Sequence, residues 1–108
     1  MDLEIPIEYR SQLKWITGLS RGTTCDDVIY ALLRHDMGPN QNIDVSTYRM
    51  YEQWPDCERT LSGRTKITKL WRMLGQKARQ QSVRLVIRQA LTADILHDTG
   101  SEMSAVSA

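Results

Sequence analysis

The stretch TTCDDVIYALLRH, Thr23 to His35, constrains this chain most, because it marks both where a helix starts and where it must end. Thr24 is a good N-cap. Asp27, three positions on, completes a variant capping box and puts carboxylates at the positive end of the helix dipole. Val28, Ile29, Leu32 and Leu33 form an apolar stripe of helical period, which Gly38 and Pro39 stop. His35 falls in the last turn, where an imidazolium suits the negative end of the dipole.

The same stretch holds a cysteine, two aspartates and a histidine, which raises the question of a catalytic or metal site. Cys25 and His35 are about 15 Å apart along a helix and roughly 80° out of phase, so they cannot share a metal or act as nucleophile and base. The reading that follows is a cap, a core thiol and a dipole partner. No Gly-rich phosphate loop, G-x-S-x-G elbow or HExxH occurs elsewhere. No catalytic residue, metal ligand or cofactor is expected, and the chain is not expected to be an enzyme.

On either side of the helix the sequence changes to a period of two. LEIPIEY sets Leu3, Ile5, Ile7 and Tyr9 against Asp2, Glu4, Pro6 and Glu8, as in a half-buried strand, with Pro6 asking for an edge or a bulge. RSQ makes a turn. LKWITGL returns with Trp15, Thr17 and Leu19 on one face and Lys14, Ile16 and Gly18 on the other, so an opening hairpin is expected.

Beyond the helix, Met37 to Ser46 reads as a loop, TYRMYEQW as a third strand, PDC as a turn and ERTLS as a short fourth strand. Ile67, Leu70, Trp71 and Leu74 make a short amphipathic helix closed by Gly75, and a polar connection QKARQQ follows. SVRLVIR is a last, central strand with Val83, Leu85 and Ile87 inward. Trp15, Trp54 and Trp71 sit on apolar phases and are expected as core anchors. Glu52, Glu58 and Arg59 are expected to form an ion pair across the third and fourth strands, and Cys57 to be an exposed, oxidisable thiol.

At 108 residues the chain is one domain's worth, with residues 1–90 expected to fold and 91–108 (…HDTGSEMSAVSA) to be a flexible tail or the start of a linker. The two cysteines have no zinc-type spacing and no signal peptide precedes them, which fits an intracellular, reducing location. Net charge is only +1, but from Arg59 to Arg88 there are nine Lys or Arg residues and no Asp or Glu. Arg64, Lys66, Lys69, Arg72, Arg84 and Arg88 are the candidates for a basic face that binds anionic lipid or an acidic scaffold partner. Nucleic acid is not expected, since the exposed aromatics of a single-strand platform are not evident.

The order ββαββ, short helix, β resembles the α+β ubiquitin-like (β-grasp) roll. RTLS, a helical segment and VRLVIR are similar to the corresponding end of ubiquitin, although Arg88 is followed by QALTAD and not by Gly-Gly, which disfavours a modifier role. The segments GLSRGTTCDDVIYALL (Gly18 to Leu33) and YRMYEQWPDCERTLSGRTKITKLWRMLG (Tyr48 to Gly75) resemble Ras-association domains, in particular the N-terminal subgroup of the Ras-association domain family (RASSF). Within them, Glu52, Trp54, Glu58, Arg59 and Leu61, then Thr65, Ile67, Lys69, Leu70, Trp71 and Gly75, look most like the branch of the ninth and tenth members.

The resemblance implies a non-catalytic signalling or polarity scaffold, cytoplasmic and recruited to the cell cortex or junctions, with other scaffold or polarity proteins as further partners. Its module would dock a GTP-bound Ras-family small GTPase along the second strand by β-augmentation. Carried over by position, the contact residues are Lys14 and Ile16, with Arg10 in the turn, Arg21 before the helix and Arg34 near its end. Asp26, Asp27 and Asp36 depart from the basic helix of strong Ras binders, which implies weak or selective binding. An unpaired strand edge also leaves self-association possible.

Overall fold

A computed structural model describes residues 4–80 and 82–90. The expected tail, 91–108, lies outside the described residues. The alternating N-terminal segment forms β1 (Ile5–Tyr9), which turns through Arg10 and Ser11 into β2 (Gln12–Ile16). Both turn residues take left-handed φ values, 53° and 62°, the backbone that matches the strand twist in a two-residue hairpin.

Helix α1 (Cys25–Met37) begins at Thr24, where both halves of the capping box form, Asp27 N donating to Thr24 Oγ1 at 3.2 Å and Thr24 N to Asp27 Oδ2 at 3.0 Å. A single 3-10 turn (Val45–Thr47), capped by Asp44, leads into β3 (Tyr48–Gln53), then β4 (Glu58–Leu61), α2 (Ile67–Gln80) and β5 (Arg84–Gln89). The sheet order is β2-β1-β5-β3-β4, with β1 and β5 parallel and the other pairs antiparallel. This is the ubiquitin-like α+β roll.

The core fills one side of the sheet. Ile5, Ile7, Tyr9, Met50, Leu85 and Ile87 from the strands meet Cys25, Val28, Ile29, Leu32 and Leu33 from α1, and Ile67 and Leu70 from α2 close one end. Truncating Ile29 or Leu33 to Ala would cost about 2–5 kcal/mol, much of a small domain's total of roughly 5–15 kcal/mol.

Three local expectations are corrected. Pro6 is not on an edge strand, since β1 lies between β2 and β5; it is accommodated because the β5 pairing starts only at Ile7. The amphipathic helix is closed at Gly75 as expected, but the stretch after it, expected as a polar connection, is helical through Gln80. The backbone breaks at Gly75 (φ 48°, ψ −135°), a conformation only glycine takes easily, and then resumes helix through residues that are good helix formers. Trp15, expected in the core, is 59% exposed. The register Ile5↔Ile16, Ile7↔Lys14 and Tyr9↔Gln12 turns Gln12, Lys14 and Ile16 toward the core side of the sheet, and therefore Leu13 and Trp15 away from it.

Candidate functional site

β2 is an edge strand. Among the described residues its only neighbour in the sheet is β1, so its far side offers backbone groups to an incoming strand. Lys14 and Ile16 are half-buried on its core-side face, and Leu13 and Trp15 are exposed on the opposite face at 55% and 59%. Two large exposed apolar residues flank the proposed lysine along one free edge. Sequence reasoning missed Leu13 and Trp15, because period-two alternation tells which residues share a face but not which face is buried.

The tertiary structure separates the other basic candidates. Arg10, in the hairpin turn, pairs with Asp36 of α1 at 2.9 Å, and Tyr9 donates to the same carboxylate at 3.3 Å. Desolvation and the negative charge of Asp36 raise the Tyr9 pKa above its ordinary value. Arg10, Lys14, His35 and Asp36 line one small depression where the hairpin meets the end of α1. Arg34 is exposed in that last turn of α1. Arg21 lies elsewhere, in a cleft with Lys66, Lys69 and Arg72.

The basic run Arg59 to Arg88 is divided likewise. On the strands, Arg59 pairs with Glu52 at 2.5 Å, Arg84 with Glu8 at 3.2 Å, and Arg88 with Glu58. Arg84 lines a second cleft with Trp15, Trp71 and Pro6, away from Lys66, Lys69 and Arg72. The basic candidates therefore do not share one cleft.

Glu52 and Arg59 stand opposite one another in the β3–β4 register, and the indole of Trp54 donates to the other oxygen of Glu52 at 2.6 Å. Glu58 takes a different partner from the one read in the sequence, reaching Arg88 on β5 instead of Arg59. Cys25 is buried, and desolvation, helped by Asp26, pushes its thiol up to about 12. That removes it as a nucleophile near neutral pH. Among the described residues no cluster of His, Cys, Asp and Glu could hold a metal ion, and no helix is long and apolar enough to cross a membrane.

No protein-family model matches the sequence, and no curated protein matches it. Among solved structures the chain is similar to the Rasip1 RA domain, with a TM-score of 0.57 and 15% identity over 89% of this chain and 96% of that one. The fold is thus that of a Ras-association (RA) domain.

Proposed function

We propose that the chain is a small-GTPase docking module of a non-catalytic signalling scaffold, and that it takes the GTP form of a Ras-family protein along β2. The observation that carries this reading is the β2 edge, unpaired among the described residues, with Lys14 on one face and Leu13 and Trp15 exposed on the other. The RA-domain fold supports it, as does the resemblance of the two sequence segments to the N-terminal RASSF subgroup.

Backbone pairing supplies affinity in such a contact, the lysine steers toward an acidic switch, and the tryptophan is a residue type that anchors interfaces. Binding is weak or selective. Asp36 already neutralises Arg10, and Asp26 and Asp27 set negative charge at the start of α1.

The test is binding of the chain to a panel of Ras-family GTPases loaded with GDP or a GTP analogue, alongside Lys14→Glu. GTP-selective binding that Lys14→Glu abolishes is expected. No binding in either nucleotide state by any member would leave the fold without this function.

A further inference from the structure

Four cations from two distant parts of the sequence converge on one cleft of about 460 Å³: Arg21 from the loop before α1, and Lys66, Lys69 and Arg72 from the start of α2. Backbone pairing brings them together. Ile67 N donates to Thr23 O at 3.0 Å, Cys25 N to Thr65 O at 2.9 Å, and Thr68 Oγ1 to Ser20 O at 3.4 Å, so the loop carrying Arg21 is tied to the first turn of α2. Gly63 permits this approach, since a Cβ there would collide with the Asp26 carboxylate.

The charge here is treated differently from the charge on the sheet. Arg59, Arg84 and Arg88 each have a glutamate partner, whereas none of the four cleft cations pairs with a carboxylate among the described residues. Beside them Met73 projects at 73% exposure, the most exposed large apolar side chain described.

We propose that this cleft and its rim are a docking surface for an anionic membrane, independent of the GTPase contact on β2. Lysine ammonium groups on flexible stems match a fluid array of phosphate headgroups, and a protruding thioether enters the boundary between headgroup and acyl chain. An acidic peptide fits less well. Among the described residues the cleft is walled by a helix and a loop, and its one bridge, Thr24 with Lys66, is already paired, so none of the sheet's strands lines it with an edge for a peptide backbone. The surface goes beyond the basic run visible in the sequence, because it includes Arg21 and excludes Arg84 and Arg88.

The experiment is co-sedimentation of the 108-residue chain with vesicles of phosphatidylcholine alone or of phosphatidylcholine with phosphatidylserine, over a salt series. Binding to the anionic vesicles only is expected, falling steeply with salt. Each charge removed costs roughly five-fold in affinity, so Lys69→Gln with Arg72→Gln weakens binding roughly 30-fold. Met73→Ser weakens it several-fold with no change in charge, and Arg84→Gln leaves it unchanged. Three results would overturn the proposal: equal binding to neutral vesicles, no binding to anionic ones, or an Arg84→Gln loss as large as that of Lys69→Gln. Binding of soluble polyglutamate as tight as that of vesicles, with Met73→Ser silent, would also overturn it by assigning the surface to an acidic protein segment.

Discussion

Arg59 holds the carboxylate of Glu52 at 2.5 Å across the β3–β4 pair, and Glu52 is only 3% exposed although it lies in the outer half of the sheet. A buried carboxylate is tolerable only while its oxygens are taken up, one here by Arg59 and the other by Trp54. Removing the guanidinium strands one of them. Arg59→Met is expected to lower stability by about 1–3 kcal/mol, read as a lower urea midpoint at unchanged slope. A double change to Arg59→Met with Glu52→Leu should recover part of that loss, because no buried charge then remains.

Trp15 should contribute to binding and little to folding. Its 59% exposure means that Trp15→Ala leaves the thermal midpoint nearly unchanged, a shift of stability within about 0.5 kcal/mol. Loss of GTPase affinity is expected at about 2 kcal/mol, roughly 30-fold. A large drop in thermal midpoint with intact binding would place the indole in the fold instead of the interface.

The two thiols should separate cleanly under a thiol-specific reagent. Cys25 is wholly buried with its pKa pushed up to about 12, so it should label only once the chain is denatured. Cys57 is exposed and should label in the native state. Its thiol is raised by partial desolvation and then by the neighbouring Asp56 carboxylate, so its labelling should be slow at neutral pH and quicken as pH rises. Native labelling of both thiols would contradict the core assignment of Cys25.

Glu58 should give stability a dependence on acid. Hydrogen bonds from Arg88, and less from Gln53, hold its carboxyl below the ordinary 4.5. Because the folded value is depressed, the stabilisation is present above 4.5 and is lost as pH falls through the folded pKa. Glu58→Gln should therefore melt lower than the parent chain above pH 4.5, and the two melting curves should converge as the pH drops further. A gap that widened on acidification would reverse the sign of the linkage.

Much of the fold was legible because its signals are local. The Thr24–Asp27 capping box, the Val28 to Leu33 stripe and the alternation in β1 and β5 each depend on residues a few positions apart, and all appear where the sequence puts them. The Glu52–Arg59 pair was legible for a related reason, since a tight β3–β4 turn makes cross-strand neighbours of residues seven apart. Gly75 was read correctly as the end of the amphipathic helix, but the helical segment that follows it to Gln80 was missed, because its helix formers were taken only for their polarity.

The sequence by itself determined the five strands, the first helix and the start of the second, their order and the alternation within the strands. Only the tertiary structure decided which face of β2 turns inward, since a period of two is the same whichever side meets the core and Trp15 and Lys14 compete for it. It also decided the fate of each cation. Arg84 finds Glu8 from 76 residues away and Arg88 finds Glu58 from 30, while Arg21 is carried to Lys66, Lys69 and Arg72 by backbone bonds at the mouth of α1. Charge partners are set by distance through space, and in a mixed sheet with crossed connections that distance is fixed by the packed fold and not by position along the chain.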